Sequence, residues 1–163
     1  MNTSLSARFR LFALGVMLTL LAGCATYRET DVTADYINDP EFRRGYRVGG
    51  VYELQADLFV TKLDRPHYVF MKPGDSVPKI AAWDAGDRRS AVPVVGPARR
   101  GTRVRVEKVV LISSPNGISQ VTCMFRAEGF DRLITPFMIS NLVEVHGGKT
   151  LCAPDPSFLK EVP

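Results

Sequence analysis

The stretch Arg103-Val104-Arg105-Val106-Glu107-Lys108-Val109-Val110-Leu111-Ile112 decides the fold class. Its first half sets a valine at every second position with a charge between. That period of two gives a continuous apolar face only on an extended strand, because successive side chains leave opposite sides of the backbone. The second half runs apolar without interruption, so both faces of the strand are predicted to be covered there. Ser113-Ser114-Pro115-Asn116-Gly117 then turns the chain, with Asn116-Gly117 suited to the positive φ angles of a hairpin loop. Ile118 to Ala127 is the predicted return strand, with Val121, Cys123 and Phe125 on one face.

The same pattern extends in both directions. Upstream, Tyr52, Leu54, Ala56, Leu58 and Val60 alternate with Glu53, Gln55, Asp57 and Thr61, which predicts a half-buried strand opened by Gly49-Gly50. His67 to Met71 predicts a second short strand, ended by the turn Lys72-Pro73-Gly74-Asp75. Ser76 to Trp83 has room for one helical turn, and Asp84 to Arg100, rich in glycine and proline, is expected to be a long surface connection. Downstream, Gly129-Phe130-Asp131-Arg132 turns the chain, Leu133–Thr135 and Asn141–Val145 are short strands, and the residues from Gly147-Gly148 onward read as a tail pinned to the sheet. There is no long amphipathic helix and no internal repeat. The predicted class is all-β: a small barrel or sandwich of about five or six short strands.

The beginning of the chain carries a different kind of information. Arg8 and Arg10 stand without an acid among the first residues, and the apolar run Leu11 to Leu21 follows. This is a charged region followed by a hydrophobic region too short to cross a bilayer, which marks a targeting segment. Leu21-Ala22-Gly23-Cys24 resembles the lipobox of bacterial lipoproteins at each of its four positions. The resemblance implies cleavage after residue 23, lipid on Cys24, and a membrane partner held through those acyl chains. Ala25, standing where aspartate favours retention at the inner membrane in Gram-negative lipoproteins, implies the outer membrane, facing the periplasm; the inner membrane is the alternative. Residues 24–47 mix charges with few large apolar side chains and are expected to be a flexible tether, with Asn38 or Asp39 capping a short turn at Pro40. Residues 48–163 are expected to form a single small β domain.

The stretch Arg100 to Val106, the hairpin after it, and Phe137 to Val145 together resemble a bacterial SH3-like domain, in which Gly-Thr opens a strand of alternating valines and a one-turn helix precedes the last strand. That resemblance covers residues 95–145 and implies architecture rather than a ligand.

Composition excludes some functions. The chain has 21 Lys and Arg against 17 Asp and Glu. Removing the leader with Arg8 and Arg10 leaves a nearly balanced charge, which gives no support to a nucleic-acid partner. With Cys24 committed to lipid, Cys123 and Cys152 form an even pair in an oxidising compartment, and a disulfide between them is expected. Two unpaired core thiols or one reactive thiol are the alternatives. No catalytic motif is present, and two histidines, His67 and His146, do not make a metal site; no cofactor or metal is expected. A hydrolase would need Cys123, His146 and an acid such as Asp131 to meet in space, and the expected disulfide would silence that thiol.

Arg99, Arg100, Arg103 and Arg105, with Arg88 and Arg89 in the long connection, form a basic strip that would suit anionic headgroups or the carboxylates of wall peptides. The bland alternative is an exposed strand face written in arginine. Trp83, the only tryptophan, is either a core plug or an interface anchor. The function expected from these features is a noncatalytic, lipid-anchored envelope module that binds peptidoglycan or an envelope protein. A subunit of an envelope assembly without wall binding is the alternative.

Overall fold

The computed structural model describes residues 28–62, 68–74, 76–113 and 119–163. Cys24 and its lipobox, His67 and the Asn116-Gly117 turn lie outside the described residues. The chain is all-β. Among the described residues eleven strands join one sheet: β1 (Arg28–Asp31), β2 (Val51–Leu54), β3 (Leu58–Lys62), β4 (Tyr68–Met71), β5 (Val94–Ala98), β6 (Arg103–Ser113), β7 (Ser119–Ala127), β8 (Leu133–Thr135), β9 (Ser140–Val145), β10 (Lys149–Pro154) and β11 (Leu159–Val162). Two short α-helices among the described residues, α1 (Thr33–Asn38) and α2 (Ile80–Asp84), lie outside the sheet.

The expected count of five or six strands is too low, because the expected Tyr52–Val60 strand is two strands and because the N-terminal segment, the long connection and the tail add β1, β5, β10 and β11. The order is β11-β2-β6-β7-β8-β4-β3-β5, and the long strands β6 and β7 each take an extra partner at the end where Ser113 faces Ser119, β1 on β6 and β10 on β7, with β9 beyond β10. Residues 95–145 therefore pair with strands from both ends of the chain and do not close on themselves.

Strand β6 follows its sequence pattern, with one insertion. Val104 and Val106 are buried while Arg103, Arg105 and Glu107 face solvent. The register against β7 then slips between Val106 and Lys108, so Val106 stands opposite Phe125 and Lys108 opposite Met124. Glu107 is the extra residue of a bulge. Beyond it the inward phase changes from even to odd positions: Val109 joins the core, and Val110, fully buried, lies on the other face.

The inner face of the sheet carries the main core, with Tyr46, Tyr52, Leu54, Leu58, Val60, Phe70, Phe125, Ile134 and Leu151 among its members. The opposite face is also covered along β3, β4 and β7, where Phe59, Thr61, Val69, Thr122 and Met124 are buried. Trp83 of α2 packs edge-on against Phe59 at 5.3 Å between ring centroids, with the Arg88 guanidinium 3.9 Å above its own ring. It covers one side of the sheet and leaves part of its surface in water. The expected single strand over Tyr52 to Val60 is two strands, β2 and β3. The Asp57 carboxylate, 2.8 Å from the Arg100 N–H, holds the break, and the inward phase is unchanged across it.

The flexible tether is a correction over its described part. Residues 28–47 are folded onto the sheet: β1 pairs with β6, α1 buries Tyr36, and Asp39 caps the turn Pro40–Arg44 by accepting the Glu41 N–H at 2.9 Å. The Tyr36 hydroxyl donates to the Tyr46 carbonyl at 2.8 Å, and a Cβ on Gly45 would collide with that hydroxyl, so glycine is needed for the approach. Similarly, the long connection from Asp84 to Arg100 contains β5, and the expected C-terminal tail is the two strands β10 and β11.

Candidate functional site

The four arginines of the expected basic strip separate into two environments. Arg99 pairs with Asp84 at 2.5 Å and with Asp57 at 3.7 Å, so its charge is spent between the α2 segment and the β2–β3 corner. The Arg100 backbone serves that same corner. Arg88 stacks on Trp83, and Arg89 is held by Asp87, whose carboxyl the guanidinium beside it lowers to about 2.

Arg103 and Arg105 differ. Both lie exposed on the outer face at the start of β6, and among the described residues neither has an ion-pair partner. Register places Arg103 beside Glu53 of β2 and Arg105 between Val51 of β2 and Arg126 of β7. Two guanidinium groups directly across an antiparallel pair repel each other. Glu107, displaced outward by the bulge, relieves this by gripping Arg126 in a two-point pair at 2.5 and 2.9 Å. That contact lowers the Glu107 pKa, with a further contribution from the charge of Arg105.

The result is a shallow groove of about 480 Å³ whose walls include Val51, Arg103, Arg105, Arg126, Glu128 and Phe130. Arg126 is pinned and Arg105 is free beside it, so the groove presents an uncommitted planar fork on a rigid sheet. That geometry suits a carboxylate, which accepts two parallel N–H bonds. The neighbouring glutamates keep the field mixed rather than strongly basic, which fits a ligand carrying both signs of charge. Sequence reasoning found Arg103 and Arg105 but missed Arg126, Glu107 and Phe130, which only strand register brings alongside them.

A second cleft, also about 480 Å³, lies between the N-terminal segment and the sheet and is lined by Tyr36, Phe42, Tyr46 and Tyr52. Its aromatic groups are already engaged. Tyr36 stacks on Phe42, Tyr46 bonds Ser140 at 2.7 Å, and the Tyr52 hydroxyl accepts the Arg47 N–H at 2.9 Å. Burial raises the pKa of all three tyrosines, so they stay neutral packing groups.

The expected disulfide is absent: Cys123 and Cys152 are both buried free thiols. Strand parity gives the reason. β10 runs parallel to β7 with Leu151 opposite Val121, which brings Cys152 alongside Thr122 and places Cys123 on the other face. The Cys152 sulfur accepts from the Gln120 amide at 3.1 Å, while Cys123 faces Tyr36 and the Tyr46 backbone. Burial first, and then the nearby Cys152, push the Cys123 thiol far above its usual range, which removes it from nucleophilic work at neutral pH. Iodoacetamide should therefore leave both thiols unmodified in the native protein and alkylate both after urea denaturation without reductant. Intact-mass analysis would read this directly, and a denatured protein that remained unlabelled would mean the bond exists.

Among the described residues no group of three or more His, Cys, Asp and Glu is placed to hold a metal ion, and no helix is long and apolar enough to cross a membrane. No protein family, curated protein or solved structure matches the chain.

Proposed function

We propose that the chain is a noncatalytic, lipid-anchored binding or scaffolding module of the cell envelope. Acyl chains on Cys24 hold it at the outer membrane, facing the periplasm, and the groove at Arg103 and Arg105 receives a carboxylate-bearing partner. The observation that carries this reading is the pair of exposed arginines, unpaired among the described residues, beside a third arginine locked by Glu107. The planar fork of a guanidinium matches the two oxygens of a carboxylate, so less side-chain freedom is lost per hydrogen bond formed, and the half-buried Phe130 at the groove edge adds apolar contact. Peptidoglycan stem peptides carry such carboxylates together with amines, and they match the mixed field of Arg103, Arg105, Glu107 and Glu128. The lipobox and Ala25 support the membrane address.

The soluble form, residues 25–163, should pellet with purified cell-wall sacculi, and the bound fraction should fall as the salt is raised, because exposed guanidinium–carboxylate contacts are screened. Arg103→Glu combined with Arg105→Glu should lower the bound fraction about tenfold, the size expected for losing one good charge-assisted contact. The melting temperature should stay within a degree or two, since both side chains are exposed. Equal pelleting by the double variant would exclude the groove as the binding surface.

A second reading, a subunit of an envelope assembly, has its own support. Strand β9 pairs only with β10 among the described residues. Leu142 on it is 53% exposed, and Phe137 and Met138 just before it are 37% and 45% exposed. Apolar groups along an open strand edge suit a protein partner that adds a strand. Residues 25–163 left in the supernatant by sacculi would favour this reading.

A further inference from the structure

Strand register fixes which end of the domain lies nearest the anchor. β1 runs antiparallel to β6 with Arg28 opposite Ser113 and Asp31 opposite Val110, so the chain enters the fold at the Ser113 end of β6. The row at that end continues from Ser113 to Ser119, from Ser119 to Lys149 and from Lys149 to Val145. Its charged members, Arg28 and Lys149, are both basic. Arg103 stands at the other end of β6, roughly 30 Å away along the strand.

Only Ala25, Thr26 and Tyr27 separate Cys24 from Arg28. Fully extended, that link reaches about 14 Å, less than half the length of β6. An anchor on Cys24 thus has no long tether in which to turn the domain over, and it holds the Arg28 end against the bilayer.

We propose that the row of Arg28, Ser113, Ser119 and Lys149 is a membrane-contacting face that fits the phosphates of anionic phospholipid headgroups. The domain stands on this face and carries the Arg103–Arg105 groove away from the lipid. This inference rests on the lipidation of Cys24. It also selects among partners for the groove: the headgroups of the anchoring membrane are out of reach, and the ligand approaches from the periplasmic side. The hydroxyls of the two serines contact each other at 3.5 Å, the nearby acid Glu29 is engaged with Lys108 at 3.4 Å, and among the described residues Arg28 has no ion-pair partner.

The test uses the acylated chain in vesicles of phosphatidylcholine and phosphatidylglycerol that carry a headgroup-bound nickel quencher. A fluorophore is placed through Ser113→Cys or, separately, through Glu128→Cys at the groove. Quenching at position 113 should exceed that at position 128 several-fold, and Arg28→Glu with Lys149→Glu should lower the ratio without bringing it to one, because the short link still keeps this end near the bilayer. Equal quenching at the two positions in a chain that floats with the vesicles would overturn the orientation while leaving the anchor intact. A ratio unmoved by the charge reversal would overturn the headgroup contact. If the chain floats no better than a form beginning at Ala25, the lipidation reading fails, and this inference fails with it.

Discussion

Phe125→Ala should destabilise the domain by about 3–5 kcal/mol, the range for removing a large aromatic group from a closed core, and lower its melting temperature by roughly 10–20 °C. Phe125 is fully buried on β7, between Val106 of β6 and Ile134 of β8 in the sheet. Its ring meets Tyr46 edge-on at 5.0 Å and lies 6.2 Å from Tyr52. Tyr46 is in turn tied to Ser140 by its hydroxyl and to Tyr36 by its carbonyl. The cavity would therefore loosen the N-terminal segment as well as the sheet, and the loss should fall toward the upper part of the range. Urea titration followed by circular dichroism measures it. Phe137→Ala, at a site 37% exposed, is the control and should shift stability by less than about 1 kcal/mol. A Phe125→Ala variant no less stable than that control would mean the core is organised around something else.

The alternation over Val104 and Val106 was legible because a strand with one wet face must show it. The bulge at Glu107 was not, since inserting one residue looks in the sequence like a change from alternation to a continuous apolar run. The uninterrupted phase from Tyr52 to Val60 concealed a break, because the corner at Gln55 to Asp57 contains no glycine or proline and preserves parity. In β5, Gly96 and Pro97 argued against a strand, yet an edge position tolerates proline, which has no N–H to donate to a ladder. Tyr36, Phe42 and Tyr46 were present in a segment whose charges suggested a tether. Three aromatic groups in so short a stretch were the available signal that it packs. Cysteine counting predicted a pair but carries no information about which face of a sheet each thiol occupies. At the groove, Arg103 and Arg105 could be named from the sequence. The commitment of Arg99 to Asp57 and Asp84, and of Arg126 to Glu107, depends on contacts between strands far apart in the chain.

Cys24→Ala should abolish fatty-acid incorporation, and the precursor should keep residues 1–23. If Leu21-Ala22-Gly23-Cys24 is a lipobox, the thiol is the first acceptor for the lipid, and both cleavage and any acylation of the new amino group wait on its modification. Metabolic labelling with an alkyne fatty acid, followed by intact-mass analysis, reads both consequences in one sample. The wild-type chain should begin at Cys24 and carry the label. Each buried methylene contributes about 0.8 kcal/mol, so two or more acyl chains hold the domain against salt that would strip an electrostatic contact. When residues 25–163 are exported behind an ordinary secretory leader, the domain should move almost entirely from the membrane fraction to the soluble fraction. If label persists on Cys24→Ala, the acceptor is elsewhere. If the exported form stays with membranes at high salt, the domain itself holds the bilayer, and the Arg28–Lys149 face would then be a principal anchor rather than a surface that only orients a lipidated one.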